Sequence, residues 1–243
     1  MDAFETEKGY KVTLTEAGWV SDDPSFDASK PYSGRDPRFY RSILADGMEF
    51  KGSIIELFEG GLDDVEVTAG GSPTGYFLRR YIQETTSFTP GSTVTNKHHW
   101  IVYRYAESLL TYAESMANAF PSDMNHTDGT YPYSALWALN QVRTNAGMPP
   151  IPQCGYEEFI ERLRNEWRVE FAFEDPRFWD IRRWKIGSDT QRELAGVKII
   201  RSEQGISSFY RQIYETRSWS EKMNLYPIPQ TELHKNRNLY PQN

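Results

Sequence analysis

The chain has 243 residues, enough to bury a full hydrophobic core, and 38% hydrophobic against 25% charged residues is the balance of a globular protein. A net charge of −7, with no stretch of Lys and Arg beside spaced aromatics, excludes the electrostatics that nucleic-acid binding requires. No run of about 18 apolar residues is present to span a membrane, and Met1–Glu5 lacks both the basic and the apolar stretch of a signal peptide. The chain is therefore expected either to be cytoplasmic or to have its export signal outside this sequence.

Residues 1–35 carry Gly, Ser, Pro and Asp without periodicity and read as irregular. Asp36-Pro37 then supplies an N-cap and a first-turn proline, which predicts a short helix from Pro37 to about Ala45. Residues 46–96 alternate Gly-rich and polar stretches with short apolar ones, which implies long loops and one small hairpin. A structureless stretch of that length is uncommon in a compact domain unless it has a task.

From Trp100 the pattern becomes helical. Ile101, Tyr105, Leu109, Tyr112 and Met116 form one stripe, and Val102, Ala106, Leu110, Ala113 and Phe120 a neighbouring one. Two stripes imply a helix packed on both sides. A second helix is expected over about 132–146, ended by Gly147 and Pro149-Pro150. The pair makes an αα-hairpin of the kind stacked in tetratricopeptide-like proteins. A third helix, about 156–174, buries Ile160, Leu163, Trp167 and Phe171 and stops before Asp175-Pro176, where a further helix restarts through Phe178, Trp179, Ile181 and Trp184. After Gly187 a short strand or two is expected, and Pro227 with Pro229 forces an extended run.

Few residues carry catalytic promise. Cys154 is the only cysteine, so there is neither an intramolecular disulfide nor a thiolate cage, and it reads as a small residue at a loop–helix junction. Glu166, Glu170, Glu174 and Asp175 lie among Arg162, Arg164, Arg168 and Arg177, which implies a solvated ion-pair face rather than a catalytic carboxylate pair. His98 and His99 are adjacent and lack metal-site spacing, and there is no GxSxG, Walker A or strand-borne GxGxxG. No metal, no cofactor and no enzymatic activity are expected. The aromatic content is high, at 14% with 7 Trp and 15 Tyr, and such side chains suit ligand platforms because a flat apolar face ends in a polar tip.

Several segments, in order, resemble the SusD/RagB family of nutrient-binding outer-membrane lipoproteins. They are Asp36-Pro37-Arg38-Phe39-Tyr40 with Ile43-Leu44-Ala45-Asp46-Gly47, and Tyr103-Arg104-Tyr105-Ala106-Glu107 through Ser115. Leu139–Gly147, Arg168–Glu174 with Arg177–Trp184, Leu225–Leu233 and the closing Gln242-Asn243 complete the set. The resemblance covers residues 36 to 243. It implies a mainly α fold of helical-bundle, tetratricopeptide-like helices with a long loop-rich region and little β. Residues 1–243 then form a single C-terminal domain, with 1–96 loop-rich, 97–186 the helical core and 187–243 mixed, and Trp167, Trp179 and Trp184 filling the core.

The same resemblance implies a protein that binds glycans at a bacterial surface without chemistry and hands them to a SusC-like TonB-dependent transporter. The alternatives are a RagB-like peptide binder, a helical-repeat scaffold for protein partners, and a glycoside hydrolase, which would need two carboxyl groups about 5–10 Å apart across a cleft. Family members are longer and begin with a signal peptide and a lipidated cysteine, so this chain is expected to be a fragment that lacks the anchor of its full-length parent. Loop aromatics are the expected stacking residues: Trp19 and Tyr32 in the N-terminal segment, Tyr76 and Tyr81 in the long loop region.

Overall fold

The computed structural model describes residues 1–87, 89–92, 99–190 and 193–240. His98 lies outside the described residues, as do Gln242 and Asn243. Met1–Phe173 with Gly196–Gln212 forms one compact unit, and Glu174–Ala195 with Ile213–Asn243 forms a second. Among the described residues there are seven α-helices and eight short strands.

The first unit contains more β structure than the sequence promises. Strand β1 (Val12–Thr15) pairs antiparallel with β2 (Gly18–Ser21), setting Leu14 opposite Trp19. Helix α1 (Pro37–Ser42) starts as expected, with the Asp36 carboxylate accepting the Arg38 backbone N–H. It ends before Ala45 because β3 (Ile43–Leu44) leaves the helix; β4 (Glu49–Phe50) and β5 (Ser53–Ile54) form the one small hairpin, and β6 (Phe77–Leu78) pairs back onto β3. Further on, β7 (Glu193–Arg201) and β8 (Ser207–Thr216) make another two-stranded sheet. Val197, Ile199 and Phe209 complete a core begun by Val12, Leu14, Trp19, Ile55 and Leu57. Gly75 is required here: at φ 73, a Cβ would meet the Val197 carbonyl oxygen at 2.5 Å.

Helices α2 (Tyr105–Ala119), α3 (Ala135–Asn145) and α4 (Tyr156–Glu170) pack on one another. The first is packed on one face rather than two. Leu109, Leu110, Ala113, Met116 and Ala117 are buried, Ile101 and Val102 precede the helix, and Tyr105 is 72% exposed. In α4 the expected Ile160, Leu163 and Trp167 are buried, followed by Phe171, and Phe159 and Val169 join them.

The carboxylates of α4 correct the sequence reading. Glu166 is 1% exposed and bridges Arg38 to Arg143, while Arg143 also holds Glu5 at 2.8 Å. One turn on, Glu170 accepts from Arg38 and Arg104. This is a buried ion-pair hub joining the N-terminal segment, α1, α3 and α4, not a solvated face. Burial pushes the Glu170 carboxyl upward, but hydrogen bonds from Arg104 and Arg38 outweigh it and hold the group below its ordinary range.

The second unit holds α5 (Pro176–Arg183), α6 (Gly187–Thr190), a 3₁₀ turn at Glu221–Asn224, α7 (Gln230–Lys235) and a second 3₁₀ turn at Arg237–Leu239. The first of these turns packs against α5.

Candidate ligand-binding site

The four aromatic candidates from the sequence do not form one site. Trp19 is 3% exposed, its ring edge-on to Tyr32 at 6.2 Å and under the Arg35 guanidinium at 5.5 Å. Tyr32 in turn packs edge-on against Tyr76 and Phe209 and tilts against Phe39. Burial of both phenols pushes their pKa values up. Arg35, 1% exposed, donates to the carbonyls of Pro31, Met1 and Phe4, which fixes these rings in place. An irregular backbone therefore carries core side chains here, and the faces of Trp19, Tyr32 and Tyr76 are taken up by one another and by their neighbours. Tyr81 differs: it is half-buried, at φ 66, with its ring stacked 6.1 Å from that of the exposed Trp100 and the Arg80 guanidinium 5.6 Å above it.

The second unit contains an open cleft of about 990 Å³, lined by aromatic rings from α5 and the 213–226 segment and by a cluster of cations. Helix geometry explains the α5 side. Asp180 and Ile181 turn inward, at 5% and 4% exposure. Trp179 is two residues from Ile181, about 200° around the helix, and so faces out. Phe178 and Arg182 are four apart, which places the guanidinium 3.6 Å over the Phe178 ring; it also lies 5.3 Å from that of Trp219. Arg183 pairs with Asp180 at 2.8 Å. The expectation that Trp179 fills the core is thus corrected: it is 54% exposed.

The opposite wall comes from the 3₁₀ turn and the residues after it. Tyr226 precedes Pro227, which holds it in an extended conformation and presents its ring outward. That ring is 63% exposed and tilts against Trp179 with centroids 5.6 Å apart. Trp219 lies directly on the Gly187 backbone, where a Cβ would sit 2.0 Å from its Cε2. Ser220 Oγ and Asn224 Oδ1 are buried with no hydrogen-bond partner among the described residues. Both residues line the cleft. A buried polar atom without a partner costs about 1–3 kcal/mol, so the cleft has unused hydrogen-bonding capacity.

The arrangement offers flat apolar faces, unsatisfied polar atoms and positive charge. Among the described residues no group of three or more His, Cys, Asp or Glu is placed to hold a metal ion.

The first unit is thus a helical hairpin packed with a third helix, accompanied by short two-stranded sheets. A SusD-like protein from Bacteroides fragilis aligns with 97% of this chain at 30% identity and a TM-score of 0.75. A SusD-like carbohydrate binding protein from the same organism aligns with 98% at 26% identity and a TM-score of 0.67. The chain spans 44% and 46% of the length of those two proteins. The SusD family model matches residues 1–243, and the chain belongs to that family. No curated protein matches the sequence.

Proposed function

We propose that the chain binds glycans without chemistry, with a saccharide lying in the second-unit cleft against Trp179, Trp219 and Tyr226. The observation that carries the proposal is the pairing of two half-exposed rings, Trp179 and Tyr226, in a cleft also lined by Ser220 and Asn224, whose side-chain oxygens have no partner among the described residues. Sugars present an apolar face of C–H groups to a ring and hydroxyls to polar atoms, and the cleft supplies both. Each stacked ring contributes roughly 1–3 kcal/mol. Two rings and a few hydrogen bonds give about −4 to −7 kcal/mol, a Kd between roughly millimolar and ten micromolar. Such weak capture with fast release suits a delivery protein. Membership of the SusD family and the similarity to a SusD-like carbohydrate binding protein of B. fragilis support the reading.

In the whole protein, the role we propose is capture at the outer-membrane surface by a lipid-anchored binder that passes its glycan to a SusC-like TonB-dependent transporter. Tyr81, stacked on Trp100, is proposed as a second, smaller platform.

Isothermal titration of the chain against plant, host and microbial polysaccharides tests the site. Heat that falls at least about tenfold in affinity in Trp179→Ala or Tyr226→Ala is the expected result. Heat unchanged in both variants would remove the cleft from the proposal, and turnover of any glycan would replace binding with hydrolysis.

A further inference from the structure

Resting on that reading of the cleft, we infer that the saccharide it takes is acidic, a polymer bearing carboxylate or sulfate groups. The chain as a whole is anionic, with 34 Asp and Glu against 27 Lys and Arg. The cleft reverses that balance: Arg182, Arg183 and Lys185 line it against a single carboxylate, Glu221. Arg183 is held by Asp180. Arg182 gives one N–H to the Phe178 carbonyl and lies over two rings, and it pairs with no carboxylate among the described residues. Lys185 is exposed and has no ion-pair partner among the described residues.

The backbone at Lys185 is the second, independent observation. Helix α5 ends in a paired-bond cap: the Lys185 N–H donates to the Arg182 carbonyl and the Ile186 N–H to that of Ile181, both at 3.0 Å. This motif places the residue after the helix cap in the left-handed region, where glycine is the usual occupant. Here that residue is lysine, at φ 54. A side chain with a Cβ is disfavoured in this conformation, so the lysine is kept at the expense of local stability. The side chain brings a positive charge to the cleft that Arg182 and Ser188 also line. Positive charge beside aromatic rings and partnerless polar atoms is the chemistry that recognises an acidic sugar: ring to C–H face, cation to anionic oxygen.

The test uses the whole chain and three polymers: polygalacturonate, its carboxyl-reduced neutral product, and a sulfated galactan. Wild type is expected to bind at least one anionic polymer about tenfold more tightly than the neutral one, with the difference fading as salt passes about 0.15 M. Lys185→Gly is expected to shrink the difference to about twofold while its Tm stays equal or rises, because glycine fits the left-handed position; Lys185→Gln should lose the same selectivity. Which anionic polymer wins tells carboxylate from sulfate. Equal binding of acidic and neutral polymers, lost in Trp179→Ala, would overturn acidic selectivity and leave the glycan cleft standing. Selectivity retained in both Lys185 variants would also overturn it. Binding to none of the three in this assay, together with none across the wider panel, would sink the glycan reading itself.

Discussion

Both units of this chain set arginines against aromatic rings, and they do so to opposite ends. In the first, Arg35 lies between the Trp19 and Phe39 rings and gives its N–H groups to three backbone carbonyls, while Arg38 and Arg143 are saturated by Asp36, Glu5 and Glu166. In the second, Arg182 covers Phe178 and Trp219 in an open cleft, and among the described residues neither it nor Lys185 at the cleft pairs with a carboxylate. The pairing of cation and ring is the same. What separates scaffold from site is whether the charge has already been answered by the protein.

That contrast is easiest to break at Glu166. With its carboxylate gone, Arg38 keeps Asp36 and Glu170 and Arg143 keeps Glu5, but each buried guanidinium loses a charge-assisted hydrogen bond, so Glu166→Ala should cost about 2–4 kcal/mol in urea unfolding. A loss below about 1 kcal/mol would mean the hub is not structural. Gly187→Ala probes the other region. The added methyl group must displace the Trp219 indole, so it should cost roughly 1–3 kcal/mol and abolish saccharide heat, and retained heat would show that Trp219 is not part of the site.

The smallest effect concerns acid. Because the Glu170 carboxyl is held below its ordinary value in the folded state, its contribution is present above the unfolded value and is lost as pH falls through the folded one. Stability should therefore decline below about pH 4.5. Glu170→Gln should flatten that decline while costing on the order of 1 kcal/mol at pH 7, and an unchanged acid limb in the variant would assign the titration elsewhere.

The helices were legible because their signals are local. Asp36-Pro37, Gly147 and Asp175-Pro176 mark boundaries within one turn of where the backbone changes course, and α4 shows its core stripe in its own spacing. The hub was not legible. Glu166 and Glu170 find Arg38, Arg104 and Arg143 at separations of 128, 66 and 23 residues, and the nearby arginines that suggested a solvated face do not supply these contacts. Hairpin β1–β2 escaped notice because each strand is four residues long, with too few alternations to register.

The cleft was half-legible. Trp179 stands opposite Ile181 on α5, a placement the helical period gives directly, although the resemblance implies a core position for it. Trp19 shows the reverse: a segment rich in Gly, Ser and Asp reads as surface, yet its rings, Trp19 and Tyr32 among them, pack into the core.

The order in which the chain is made gives the first unit's construction a further meaning. Val12 and Leu14 leave the ribosome before Val197, Ile199 and Phe209, which close the same core and follow nearly two hundred residues later. At about 5–20 residues per second, the early strands wait roughly 10–40 s on the ribosome before their partners emerge. Through that interval an apolar face stays uncovered on the nascent chain. A truncation after Phe173 would make that exposure permanent.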